Sequence, residues 1–294
     1  MPLLFFQRNF GERRILKDWN IKEILKWTSN FFKTKKIENA RLNAELIISH
    51  ILKINRLNLY LQFDRILTVS ERKKIKELIL RRATFEPLQY VLGECEFYGN
   101  RIIVNSAVLI PRPETELLVE RIIKDNASVK SFLEIGTGSG AVAIALKMNF
   151  PESKADASDI SEEALAVAKQ NSDNNGTQIN FIKSDIFSEI KEKYEIIVSN
   201  PPYISAEEYG NLSPEITEFE PKIALLAKEN GLFFYKKILS EAKEFLCENG
   251  CIYFEIGSKQ ADKIREIALK NGFENISVFK DLNGFDRIMR IKSK

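Results

Sequence analysis

Phe132-Leu133-Glu134-Ile135-Gly136-Thr137-Gly138-Ser139-Gly140 decides how this chain is read. A short run of strand-forming residues enters three glycines at alternate positions, and residues 141–147 then have helical composition. Glycines between a strand and a helix permit a tight turn and let the backbone approach a ligand at the helix amino end. The spacing is GxGxG rather than GxGxxG, and it lacks the G-x-x-x-x-G-K-S/T form of a phosphate loop, which disfavours ATP hydrolysis. Taken alone, the loop fits many nucleotide-binding folds.

Strands and helices alternate downstream of this loop. A weak strand at 155–159 precedes a helix at 162–171, followed by strands at 179–182 and 194–199. A helix at 232–246 and a strand at 251–256 come next, while the spacing of Cys247 and Cys251, four apart, also reads as helical. Residues 276–280 and 287–291, joined through Asn283-Gly284, read as a closing antiparallel pair. Such alternation implies a doubly wound α/β sheet.

The strand ends carry the chemistry. Asp159, 19 residues after Gly140, can accept hydrogen bonds from both ribose hydroxyls of a nucleoside, or cap the helix that starts at Ser161 or Glu162. Asp185 ends the third strand, where a carboxylate reaches an adenine amino group or simply serves a turn. The run 194–199 is closed by Asn200-Pro201-Pro202-Tyr203. Two prolines fix the backbone as it leaves the sheet, at the edge where open α/β folds bind ligands. An amide and an aromatic ring flank them, which makes a rigid polar notch for a planar, neutral, nitrogen-bearing group. The Asn200 side-chain oxygen and the Pro201 carbonyl each offer an acceptor to an N–H, orienting a weak nucleophile toward an electrophile.

Upstream, residues 20–92 have helical apolar spacing. Asn20 with Glu23 three residues on is a capping box, and Ser70 opens a further helix. Residues 94–110 change to strand period and read as a β-hairpin bridging two domains, after which Pro113 fits the first position of a helix. Residues 1–95 carry 19 Lys and Arg against 10 Asp and Glu, a charge of +9, and the remainder carries −6. The basic half is either a nucleic-acid patch or a solvated lysine-rich helix surface. The three cysteines include no CxxC pair, so they read as reduced, and no metal is expected. No apolar run approaches the ~18 residues of a membrane span. The one histidine, His50, falls on an upstream helix without a partner motif, which disfavours a histidine base or a catalytic triad.

The order of glycine loop, Asp159, Asp185 and Asn200-Pro201-Pro202-Tyr203, each after a strand, resembles the class I S-adenosylmethionine-dependent methyltransferases, and the last motif resembles the amino methyltransferases of adenine, cytosine or glutamine nitrogens. Val108-Leu109-Ile110-Pro111-Arg112-Pro113-Glu114-Thr115-Glu116 with Asn200-Pro201-Pro202-Tyr203-Ile204 looks like the peptide chain release factor N5-glutamine methyltransferases of the HemK type. Further matches are Asn39 to Glu45, Pro87-Leu88-Gln89-Tyr90, Glu220-Pro221, Phe254-Glu255-Ile256-Gly257 and Asp281 to Arg287, so only residues 1–18 fall outside the resemblance.

That resemblance implies a Rossmann-like α/β domain, mostly parallel with an antiparallel last strand, preceded by a small helical bundle and a hairpin. The corresponding divisions are 1–18 (N-terminal extension), 19–93 (substrate docking), 94–110 (linker) and 111–294 (methyltransferase). It also implies methylation of the glutamine in the Gly-Gly-Gln loop of a release factor. S-adenosylmethionine is expected on Gly136, Thr137, Gly138, Ser139, Gly140, Asp159, Asp185, Ile186 and Asn200. The glutamine amide is expected on Asn200, Pro201, Pro202 and Tyr203, with Asn200, Pro201 and Tyr203 as the catalytic set. Family members often carry an aromatic directly after the third-strand acid. Here Ile186 stands there, followed by Phe187, and either can flank the adenine. Arg112 and Glu114 either shape a lid or start the helix at Pro113. The expected state is a cytoplasmic monomer whose partner is a release factor, without membrane or direct nucleic-acid contact.

The rival reading is an N6-adenine methyltransferase of DNA or RNA. The −6 charge of the later portion opposes a phosphate backbone, and no long insertion after Tyr203 supplies base recognition. A non-catalytic cofactor-binding adaptor is disfavoured by the intact notch, and an oxidoreductase by the lack of a hydride-transfer acid or base.

Overall fold

The computed structural model describes residues 19–293, so the 1–18 extension lies outside the described residues. The chain forms two compact units, Met1–Leu92 and Gly93–Lys294.

The first unit is helical: α1 (Ile21–Thr34), α2 (Ala40–Leu52), α3 (Arg56–Leu61), α4 (Val69–Arg82) and α5 (Leu88–Leu92). Asn20 starts α1 with the expected capping box, its Oδ1 accepting from the Glu23 N–H at 2.9 Å. Thr68 rather than Ser70 caps α4, because Glu71 lies three residues after Thr68 and completes a second capping box. Ile24, Phe32, Ile47, Ile48, Ile75 and Ile79 meet in one core. Glu45 is buried and accepts from Arg41, Arg56 and Tyr60, so its charge is compensated where it is desolvated.

The second unit opens with the hairpin β1 (Glu94–Phe97) and β2 (Asn100–Ile103). This hairpin, read from the sequence as a bridge between domains, is grouped with the second unit. Asn171 explains why: its buried side chain accepts from the Ile103 N–H at 2.7 Å and donates to the Ile103 and Ser139 carbonyls, both at 2.9 Å. One amide thereby ties the hairpin to the glycine loop.

Seven strands follow: β3 (Ser131–Ile135), β4 (Lys154–Asp159), β5 (Asn180–Lys183), β6 (Tyr194–Ser199), β7 (Leu246–Glu255), β8 (Asn275–Lys280) and β9 (Asp286–Lys292). Their order is β5-β4-β3-β6-β7-β9-β8. The pairs from β5 to β7 are parallel, and β9 runs antiparallel to both neighbours, as expected. The sheet is flanked by α6 (Pro113–Asp125), α7 (Ala141–Asn149), α8 (Glu162–Asn174), α9 (Phe233–Phe245) and α10 (Ala261–Lys270). Cys247 and Cys251 both lie on β7 and not on a helix. The chain leaves α9 at Phe245, and Leu246 already pairs with Tyr194, before a register shift around Glu248-Asn249-Gly250 admits Cys251 opposite Ile196.

Registers decide what the sheet presents. Ile135 lies opposite Ser158 on one side and Ser199 on the other, and Ser199 lies opposite Phe254. The next residues, Gly136, Asp159, Asn200 and Glu255, therefore emerge side by side at the carboxyl edge. Glu134 supports the loop from beneath. It is buried and its Oε2 accepts from Thr137 Oγ1 at 2.6 Å and from the Ala143 N–H at 3.0 Å. Burial pushes this carboxyl up to about 8, against the pull of those two donors.

Two outcomes are expected. Asn171→Ala leaves three backbone groups of the hairpin and loop without their partner and should cost about 3 kcal/mol in urea unfolding; a loss below about 1 kcal/mol would show that the hairpin is held by other means. A carboxyl raised from an unfolded value of about 4.3 binds more protons when folded, so stability falls as pH rises between about 4.3 and about 8. Urea midpoints of the wild type should decline across that window more steeply than those of Glu134→Gln, and parallel slopes would refute the assignment.

Candidate active site

A cleft enclosing about 910 Å³, open solvent included, lies along the carboxyl edge, lined among others by Gly136, Gly138, Asp159, Asp185, Ile186 and Asn200. Gly136 and Gly138 have φ of +74° and +53°, and a Cβ built on either meets nothing within 4 Å. Side chains there would occupy the cleft that the bare backbone leaves open. That cradle, with two carboxylates beyond it, fits a nucleoside carrying a charged tail, as S-adenosylmethionine does.

The other loop residues are turned to structural work. The Thr137 hydroxyl points into Glu134, Ser139 is buried with its carbonyl bonded to Asn171, and a Cβ on Gly140 would stand 3.1 Å from that of Ala168 on α8. These three shape the loop without lining the cleft.

Asp159 ties two segments together. Its Oδ2 accepts from the Gly138 N–H at 2.9 Å and its Oδ1 from the Ser161 N–H at 3.0 Å, which joins the glycine loop to the start of α8. The cap of α8 itself is the Ser161 side chain, which accepts from the Ala164 N–H. The Asp159 carboxylate lines the cleft with lone pairs left over for hydroxyl donors. Asp185 also lines it.

Between Ile186 and Phe187 the geometry is unequal. Ile186 lines the cleft, whereas Phe187 is buried and stacks on Phe245 with ring centroids 4.4 Å apart. Ile186 sits at φ +57°, a conformation that costs a β-branched residue of order 1–3 kcal/mol and that gathers at ligand sites.

A second cavity of about 480 Å³ adjoins the first, lined among others by Arg112, Asn200, Pro201, Tyr203, Ile216 and Glu255. Leu109, Asn200, Pro201 and Ala224 line both. The notch is thus the wall between a nucleoside-sized cleft and a smaller chamber. Pro202 faces the first and Tyr203 the second.

The chamber rests on buried polar groups whose importance was not visible in the sequence. Asn200 Nδ2 donates to Thr115 Oγ1 at 3.3 Å, and Thr115 Oγ1 donates to Glu255 Oε2 at 2.6 Å. Tyr203 Oη donates to Glu255 Oε1 at 3.3 Å, and Gln260 Nε2 donates to the Tyr203 carbonyl at 3.0 Å. Burial, then the Glu255 charge, pushes the Tyr203 phenol well above its ordinary range, so it stays a donor. Arg112 does stand at the start of α6, but its side chain makes no cap. It bonds Glu220 Oε1 at 2.5 Å, and Glu220 Oε2 also accepts from the Ile110 N–H at 3.4 Å, joining the segment before α6 to the one after the notch. Glu114 occupies the first turn of α6. Among the described residues, no helix is long and apolar enough to cross a membrane, and no group of three or more His, Cys, Asp or Glu is placed to hold a metal.

Comparison with known proteins agrees with this architecture. Residues 23–93 match the family model of the PrmC N-terminal domain, and residues 113–217 that of the methyltransferase small domain. A release factor glutamine methyltransferase of Thermodesulfovibrio yellowstonii is 43% identical over 85% of this chain and 92% of its own length. One of Chlorobaculum tepidum is 38% identical over 92% of this chain and 96% of its own. Among solved structures, a methyltransferase from Pyrococcus furiosus shares the fold at 22% identity and a TM-score of 0.51, covering 66% of this chain and 89% of that one. With identities this high over nearly the full length of such relatives, the chain belongs to the release factor glutamine methyltransferase family.

Proposed function

We propose that this protein transfers a methyl group from S-adenosylmethionine to the side-chain amide nitrogen (N5) of the glutamine in the Gly-Gly-Gln loop of a peptide chain release factor. The observation that carries the reading is the shared wall: Asn200 and Pro201 face both the cleft suited to the donor and the chamber suited to an acceptor. Only there can a nitrogen held by the notch meet a methyl held by the glycine loop.

Bound S-adenosylmethionine supplies an electrophilic methyl on a sulfonium, whose departure needs no acid. Gly136 and Gly138 would lie against its amino-acid portion, Asp159 would take the ribose hydroxyls, and Asp185 with Ile186 would border the adenine. Thr137, Ser139 and Gly140 would act by holding the loop. On the acceptor side, the Asn200 side-chain oxygen and the Pro201 carbonyl would each accept one amide N–H. That turns the nitrogen lone pair toward the methyl and stabilises the positive charge that grows on nitrogen. Tyr203 and Pro202 would flank the flat amide. Transfer would form the N–C bond as the S–C bond breaks, leave the donor as a neutral thioether, and let the surplus N–H proton pass to water.

The helical first unit is assigned to docking the release factor, because a loop must be presented by contacts remote from the reacting amide. The cytoplasm is the proposed site of action, and the protein is assigned as a monomer. A nucleobase acceptor is disfavoured by the −6 charge of residues 96–294.

Labelled S-adenosylmethionine with the purified protein should label a release factor, and Gln→Ala in its Gly-Gly-Gln loop should abolish the label. Labelling of DNA or RNA instead would overturn the assignment. Asn200→Ala should lower turnover by about 100-fold or more while changing the donor's dissociation constant far less. Equal losses in both would remove Asn200 from its orienting role.

A further inference from the structure

The hydrogen bonds behind the notch have a fixed polarity. Thr115 is buried on the first turn of α6, and a hydroxyl has one proton to give. That proton goes to Glu255 Oε2 at 2.6 Å. Thr115 Oγ1 then has only lone pairs left for Asn200, which meets it with Nδ2 at 3.3 Å. The Asn200 amide is thereby turned: its NH2 faces Thr115 and its oxygen is left for the cavities. The other Glu255 oxygen takes the Tyr203 hydroxyl at 3.3 Å, so one buried carboxylate anchors the first and last residues of the notch.

We propose that Glu255 is a positioning residue of this reaction: acting through Thr115, it sets which end of the Asn200 amide meets the acceptor nitrogen. The inference rests on the glutamine-amide reading above. An acceptor –NH2 carries two donors and needs oxygen opposite it. If Glu255 takes a proton, or is replaced by a side chain that donates, the Thr115 proton is freed to point at Asn200. The amide can then rotate and set NH2 against NH2, which holds the acceptor away from the attack geometry.

Several groups face Glu255. Thr115 and Glu114 come from α6, Arg287 from β9, Tyr203 from the notch and Tyr235 from α9, the last donating to the Glu255 carbonyl at 2.8 Å. Burial raises the Glu255 carboxyl above its ordinary range. Thr115, Arg287 and Tyr203 hold it down, and Glu114 adds to the rise. Protonation on the acid side should therefore release the Thr115 hydroxyl and slow turnover without emptying the site.

The test uses the full chain, S-adenosylmethionine and an intact release factor. Thr115→Val keeps shape and loses the hydroxyl. Its turnover should fall about 10- to 100-fold, with the release-factor KM and the donor's dissociation constant within about 3-fold of wild type. Thr115→Ser should restore most of the loss. Glu255→Gln should fall as far as Thr115→Val, lose the acid limb of the wild-type kcat profile, and add little when combined with it. Wild-type turnover in a folded Thr115→Val, failure of Thr115→Ser to rescue, or an unchanged acid limb in Glu255→Gln would each overturn the inference. If Glu255→Gln does not fold, the two Thr115 variants decide alone. Failure of the wild type to label a release factor overturns the substrate reading and this inference with it, whereas wild-type labelling with indifferent variants overturns only the latter.

Discussion

The constraint on which the site depends is strand register. Parallel strands cannot slip by one residue without turning every side chain to the wrong face. Here Ile135 is locked between Ser158 and Ser199, and Ser199 fastens the arrangement by donating its hydroxyl to the Ile135 carbonyl at 2.7 Å. The N–H groups of Gly136 and Thr137 both reach back to the Ser158 carbonyl, at 2.8 and 2.9 Å. The glycine loop, Asp159 and Asn200 therefore share one level because the hydrogen-bond ladder beneath them ends at one level. Leu133, Ile197, Ile252 and Phe254 supply the apolar core that holds that ladder.

The same device recurs at two places along this edge. Glu134 and Glu255 are each buried at the end of a strand, and each takes the hydroxyl of a threonine at 2.6 Å, Thr137 in one case and Thr115 in the other. A desolvated carboxylate that finds good donors holds them with unusual rigidity, since any departure leaves an uncompensated acceptor in low dielectric. Glu134 spends that rigidity on the backbone of the glycine loop. Glu255 spends it on side chains of the notch. Both carboxyls are pushed up by burial, so ionising either of them in place costs stability.

What was legible in the sequence was local. The capping box at Asn20, the glycine loop, the acids at strand ends and the proline pair each depend on neighbours within a few residues, and each stands where its spacing placed it. The alternation of strand and helix composition carried the sheet, and the closing antiparallel pair followed from Asn283-Gly284. Misreadings were local too: Ser70 was read as opening a helix that Thr68 caps, and Cys247 and Cys251 were read as helical where β7 already runs. The polar framework was illegible for a different reason. Thr115 and Glu255 are 140 residues apart in sequence, Asn200 and Thr115 are 85 apart, and Asn171 reaches Ile103 across 68. Nothing in periodicity or spacing pairs such residues; only the packing of helices and hairpin against the sheet does. Nor could the sequence show that Phe187 turns inward to stack on Phe245 while Ile186 lines the cleft.

The chemistry that remains for such a site is positioning. The single histidine lies on α2 in the first unit, and within the chamber the titratable groups already have fixed employment. The Tyr203 phenol is held protonated, the Glu255 oxygens accept from Tyr203 and Thr115, and Arg112 is bound to Glu220. A free general base next to a sulfonium-borne methyl would itself compete as a nucleophile, whereas the one carboxylate lining the chamber, Glu255, is already taken up by Tyr203 and Thr115. An amide nitrogen loses its proton readily once alkylation has begun to quaternise it, and not before. In the proposed reaction, orientation by Asn200 and Pro201 would therefore precede deprotonation, and the buried carboxylate behind them would be better placed to keep that orientation than to take the proton.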